Sequence, residues 1–222
     1  MRARSRAVRL CVSLACSISY GVVHGYISGH PFQVELRIVP GPGLDPRFVA
    51  SAASELVAVW GPLGVDVVPF TKTLSPRPAT GVTMVIVEAL PAERQANTLG
   101  WVGFQDDKTA APLIFVSVSA VRRLIEPTSF KGAPFMRIPQ AGRDRYIARA
   151  IGRAAAHELG HFLLSSRAHT RSGLMREQFH PQELIDEPRA SFRLGRPERT
   201  QLAARILDRQ FLTTASSPPP NR

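Results

Sequence analysis

The chain of 222 residues has little cysteine and little lysine. Its two cysteines, Cys11 and Cys16, both lie in the first 16 residues. Everything after them has neither a disulfide nor a cysteine metal ligand, which excludes a disulfide-stapled scaffold and a cysteine zinc finger. Lysine occurs only at 72, 108 and 131, so nearly all of the formal net charge of +11 is arginine. Those arginines are dispersed. No Gly-rich phosphate loop, zinc-finger spacing or aromatic RNA-binding pattern accompanies them, so no nucleic-acid partner is expected. Aromatics make up 7%. No apolar run is long enough to read as a membrane-spanning helix. At 44% hydrophobic residues the chain is nonetheless a folded protein with enough length for one real core.

Four arginines, Arg2, Arg4, Arg6 and Arg9, precede the mostly apolar stretch LCVSLACSISYGVV at 10–23. Residues 1–29 therefore read as a signal peptide, or as an N-terminal anchor if retained, and the protein as secreted, periplasmic or held at the cell envelope. Loss of those arginines leaves 24 Lys and Arg against 17 Asp and Glu, a formal +7. Little chain separates this segment from the first strand, so no long propeptide is expected.

A single domain is expected over 30–211. QVELRIV at 33–39 alternates as a strand does and PGPG ends it. Residues 46–60 read as a helix with proline in the first turn and Phe48, Ala52, Leu56 and Val59 on one face. VDVVPF, VTMVIVEAL at 82–90 and PLIFVSVSAV at 112–121 read as strands, with a loop through NTLGWVGF at 97–104 and a short helix at AVRRLI. Residues 143–164 carry the longest helical pattern. Its apolar side is Tyr146, Ile147, Ala150, Ile151, Ala154, Ala155, Leu159 and Phe162. Gly160 costs such a helix about 1 kcal/mol relative to alanine, a hint that bare backbone is needed there. PQELID reads as a short helix, 197–211 as a C-terminal helix, and 212–222 as a disordered tail. The order gives an α+β fold, a mixed sheet packed on a helix with a mainly helical C-terminal part.

The chemistry sits in AAAHELGHFLLSSRAHTRSGLM, residues 154–175. His157 and His161 are four apart, hence on one face of the helix, where two imidazoles can share one Zn²⁺. Glu158 is placed to reach over that metal as a proton carrier rather than a ligand. A third ligand is needed if one position is to stay open. The candidates are His169, Glu177, His180 and Glu183; the turn at SSRA favours His169. His24 and His30 lie too near the N-terminus to rank beside them.

The stretch HELGHFLLSSRAHTRSGLM resembles the zinc-binding region of metzincin metallopeptidases, H-E-x-x-H-x-x-G-x-x-H followed by a methionine turn. Leu164 stands where that pattern has glycine, Arg167 where it has the third histidine, and His169 is displaced by two. The resemblance implies a zincin-like fold, with a twisted sheet over the active-site helix and an edge strand beside the cleft. LGWVGF or PLIFVSV would supply that edge. It implies Zn²⁺ held by His157, His161 and His169, Glu158 as catalytic base, Met175 beneath the metal, and a peptide or protein substrate in extended form. The expected protein is a monomeric zinc endopeptidase. The competing expectation is a secreted, non-catalytic peptide-binding module that keeps a zinc site. No tyrosine follows Met175, so His180, Arg171 or Arg176 is expected to stabilise the oxyanion.

Overall fold

The structure is a computed structural model, and it describes residues 32–69, 80–89, 98–106 and 109–215, with side chains to 208. They belong to the unit Pro31–Arg222. The expected N-terminal signal or anchor, both cysteines, His24, His30 and residues 216–222 lie outside the described residues.

Five strands form one mixed sheet in the order β2-β1-β3-β5-β4. These are β1 (Phe32–Pro40), β2 (Val65–Pro69), β3 (Thr80–Val87), β4 (Gly100–Phe104) and β5 (Ala110–Ser117). All neighbours run parallel except β4, which lies antiparallel to β5 and closes one edge. The alternation that marks β1 puts Val34 and Leu36 in the core; Val82, Met84 and Ile86 do the same on β3. Parallel neighbours need a crossover, and α1 (Pro46–Trp60) supplies the one between β1 and β2. Asp45 caps it, accepting from the Arg47 amide at 2.6 Å, and Pro46 opens it with a pre-set φ. Its core face is Ala52, Leu56, Val59 and Trp60. A fully buried leucine such as Leu56 contributes roughly 2 kcal/mol of transfer free energy. The helix α2 (Val118–Ile125) starts at Ser117, whose hydroxyl accepts from the Ala120 amide at 3.1 Å.

The helix α3 (Gln140–Leu164) runs through the centre. It is longer at its start than the periodicity indicates, and it is not amphipathic where the site lies. Every residue from Ala150 to Leu164 is buried, because the sheet, α1, α4 (Pro181–Ile185) and α5 (Arg196–Ala215) pack around it. An all-round buried helix needs small residues, hence its alanines and glycines. A Cβ at Gly152 would strike the backbone carbonyl of Ala52, so that glycine lets α1 and α3 approach. A Cβ at Gly160 would strike Met175, so the bare backbone hinted at by its presence seats that side chain.

Two expectations need correction. GWVGF is a strand, not a loop: its Gly100 serves close approach rather than a turn. Helix α5 continues to Ala215, through the first residues of the tail expected from 212. A small hairpin of β6 (Ser129–Phe130) and β7 (Ala133–Pro134) turns at Lys131 and Gly132, both with positive φ. Among the described residues, no helix is long and apolar enough to cross a membrane.

Beside helix α3 lies a buried ion pair. Arg153, fully buried, donates from Nε to Glu55 Oε1 at 2.8 Å. Its remaining donors reach the carbonyls of Glu183, Glu187 and Pro188. Arg189 adds two donors to the same carboxylate, at 3.0 and 2.7 Å. Burial lowers the Arg153 pKa, with Glu55 acting against it. One carboxylate thus joins α1, α3 and the segment after α4.

Candidate metal centre

His157 and His161 stand one turn apart near the end of α3. After Leu164 the helix stops at Ser165, which takes the left-handed conformation (φ 49°, ψ 49°). The amides of Ser165 and Ser166 return to the carbonyls of Phe162 and His161 at 3.2 Å each, and Gln201 of α5 donates to the Leu164 carbonyl at 2.8 Å. Carbonyls orphaned at a helix end are thereby satisfied. The turn comes one residue after the position where the metzincin pattern has glycine, and the chain then swings back far enough to bring in His169.

The three imidazoles converge. His161 Nε2 lies 3.0 Å from His157 Nε2 and 3.2 Å from His169 Nε2. Two nitrogens held about 2.0–2.1 Å from one tetrahedral zinc stand roughly 3.3 Å apart, so this spacing matches a shared metal. The proton positions sharpen the point. His157 Nδ1 donates to the Leu174 carbonyl at 2.7 Å, and His161 Nδ1 to the Ser166 carbonyl at 2.6 Å. A carbonyl only accepts, so the proton of each ring is on Nδ1 and Nε2 carries a lone pair. Burial, reinforced by the neighbouring imidazoles, pushes the pKa of His157 down to about 3 and that of His161 to about 4, so both rings are neutral at pH 7. Lone pairs that face one another at 3.0 Å repel unless a cation lies between them, and this donor set therefore fits Zn²⁺.

Glu158 is buried between α3 and the first residue of β4. Loss of hydration drives its pKa up to about 8. A Cβ at Gly100 would lie 2.8 Å from Glu158 Cγ and 2.8 Å from the Phe115 carbonyl, so only glycine admits the glutamate here. A cleft of about 470 Å³ opens above, lined by Gly100–Phe104 of β4, His157, Glu158, His161, Arg167 and His169. Among the described residues, no strand lies on the side of β4 away from β5.

No family model matches the chain, and no curated protein sequence does. Among solved structures it is similar to a zinc-dependent peptidase from Methanocorpusculum labreanum, at 14% identity and a TM-score of 0.47, over 76% of this chain and 99% of that one. It is also similar to archaemetzincin from Methanopyrus kandleri, at 13% identity and a TM-score of 0.48, over 84% of this chain and 99% of that one. Both likenesses are of a low order, so the chemistry of the site rests on its own geometry.

The other candidate ligands are placed elsewhere. Glu183 pairs with Arg176 at 2.8 Å, accepts from Ser191 at 2.9 Å and caps α4 through the His180 amide at 3.1 Å. His180 is exposed at the start of that helix, and Glu177 is exposed. Among the described residues, the ligand atoms of His157, His161 and His169 alone gather as a metal-binding group. Met175 is buried with its sulfur over Gly160, in a turn held by Thr170 N donating to Met175 O and Leu174 N donating to Arg193 O, both at 2.8 Å.

The expected oxyanion groups do not reach the cleft. Arg176 is engaged by Glu183 and lies over the ring of Phe179, and neither Arg171 nor His180 lines it. The arginine that does line it is Arg167, which sequence reasoning met only as the residue standing in place of a histidine. Nothing in its local pattern marks it, because its position depends on where the turn at Ser165 sends the chain.

Proposed function

We propose that the protein is a zinc-dependent endopeptidase that takes its substrate as an extended peptide along β4. The observation that carries this reading is the meeting of three imidazole Nε2 atoms at an open cleft with a buried carboxylate beside them. A structural zinc is closed by four protein ligands; a set of three leaves room for chemistry. His157, His161 and His169 would hold the ion. When bound, zinc supplies the Lewis acidity that acidifies a water and polarises a peptide carbonyl.

The chain's own residues do the rest. The edge of β4 offers amide and carbonyl groups to a peptide backbone, which aligns the substrate with little demand on its side chains. With a cation held by the three histidines favouring its ionised form, Glu158 accepts a proton from the attacking water at its carboxylate and passes it to the departing amine nitrogen. Its burial against Gly100 excludes bulk solvent from that carboxylate. The Nδ1 bonds to Leu174 and Ser166 hold the two helix imidazoles in the tautomer the metal needs.

A non-catalytic peptide-binding module has less support. Its main argument was the displaced third histidine, and the turn after Ser165 brings His169 to within 3.2 Å of His161. Export also belongs to this proposal, on the strength of residues 1–29 alone. The decisive experiment compares the parent with Glu158→Gln in zinc content and in cleavage of quenched fluorescent peptides. Retention of one zinc per chain with a rate loss of about 10²- to 10⁴-fold is expected. Parent-like turnover in the variant would remove Glu158 from its role.

A further inference from the structure

Among the described residues that line the cleft, Arg167 is the only permanent cation. Its guanidinium lies 4.6 Å over the ring of Phe104, at the far end of β4 from the Gly100–Glu158 contact. No ion pair to Arg167 forms among the described residues; its side chain is exposed, and Phe104 beneath it is half-buried against the core. A guanidinium over an aromatic ring is attracted to the face of that ring. Its N–H edge stays free for the two oxygens of a carboxylate. An arginine already held over a ring also loses less rotamer freedom on binding than a free one.

We infer that Arg167, braced on Phe104, is a subsite for an acidic side chain of the peptide, so that the preferred substrates are acidic sequences. The inference rests on the peptidase reading and deepens it. The position follows from the strand. Gly100 and Phe104 are four residues apart, about 13 Å along an extended chain. A peptide pairing antiparallel to β4, the more stable arrangement, runs with its amino-terminal residues toward Phe104. The acidic residue therefore lies a few positions to the amino side of the bond presented to Glu158. The chain's basic balance, a formal +11, draws acidic peptides to the surface without selecting a position; Arg167 supplies the position.

The test uses the full zinc-loaded chain and a quenched peptide series. A single Glu, with a Gln control, is moved through the four positions on the amino side of the cleaved bond. One position should show kcat/KM about tenfold higher for Glu than for Gln. Arg167→Gln should bring that ratio near one, and Arg167→Glu should turn it over in favour of a Lys peptide at the same position. A parent that ignores Glu at all four positions, or a preference that survives Arg167→Gln, would overturn the inference. The same peptides, labelled, are titrated into zinc-loaded Glu158→Gln protein and followed by anisotropy. If no peptide is cleaved, the peptidase reading fails, and anisotropy alone decides the subsite. Tighter binding of the Glu peptide, lost in Glu158→Gln/Arg167→Gln, upholds it; equal binding of Glu and Gln peptides sinks it.

Discussion

Replacing Glu55 with leucine tests how the helix that carries the site is held. Arg153 has no exposed surface, and Glu55 is the carboxylate that answers its charge at 2.8 Å. Glu55→Leu keeps the side-chain bulk on α1 while stranding a guanidinium in the core. Arg189, whose side chain is 45% exposed, can turn to solvent; Arg153 cannot. Removal of one partner from a buried pair costs about 3–5 kcal/mol. That is a large part of the roughly 5–15 kcal/mol that stabilises a domain. The double variant Glu55→Leu/Arg153→Met removes the stranded charge. It still orphans the carbonyls of Glu183, Glu187 and Pro188, each worth about 1 kcal/mol, so it should fall between the parent and the single variant. Urea unfolding at pH 7 reads this directly, with fluorescence of the buried Trp60 reporting the core beside α3. A single variant within about 1 kcal/mol of the parent, or a double variant less stable than the single, would refute the account of Arg153 as a charge held by Glu55.

Three further outcomes are expected. His169→Ala should lower zinc affinity at least tenfold while the fold survives, since His169 is exposed; unchanged zinc stoichiometry and affinity by metal titration would eliminate it as a ligand. In the metal-free protein, Glu158 binds its proton up to about pH 8 when folded but only to about its ordinary 4.5 when unfolded, so it costs stability as pH rises through that interval. His157 and His161 have the opposite sign, losing stability as pH falls below their ordinary 6.5, because the unfolded chain protonates first. The metal-free optimum should therefore lie near pH 6.5, and Glu158→Gln should gain about 2 kcal/mol on the parent between about pH 6.5 and 8. Parallel pH–stability curves for the two proteins, measured with chelator present, would contradict this. Gly100→Ala should cost about 1–3 kcal/mol and lower activity together, because its Cβ lies against both Glu158 and the Phe115 carbonyl; a fully active, fully stable variant would show that β4 and Glu158 are not in contact.

Much of this was legible in the sequence, for identifiable reasons. His157, Glu158 and His161 are local: spacing on one helix places them, and nothing tertiary is required. The alternating run that became β1 and the apolar runs that became β3 and β5 were equally plain. His169 was reachable because only a turn separates it from His161. What escaped depends on contacts between distant segments. GWVGF looked like a loop because Gly100 is there to admit Glu158, 58 residues on, rather than to bend the chain. Helix α3 looked one-sided because its alanines count weakly as apolar, yet they allow close packing on all faces. Glu55 and Arg153 are 98 residues apart, and no pattern joins them before the fold does. The place of Arg167 depends on the left-handed turn at Ser165, which falls where the familiar glycine does not.

The two helix imidazoles lean on main-chain carbonyls rather than on side-chain carboxylates. A peptide carbonyl is a weaker acceptor than a carboxylate, so it leaves imidazole less electron-rich and a bound cation more acidic. It is also out of reach of point substitution, since residues 166 and 174 present the same oxygen whatever their side chains. The outer support of this candidate metal centre is thus written in the path of the backbone. An alanine scan would pass over Ser166 and Leu174 as hydrogen-bond partners, and replacing an amide by an ester would weaken the acceptor only where it changes the carbonyl itself. For this site, tuning the metal means moving the chain: the turn after α3 and the turn that holds Met175 are the adjustable parts.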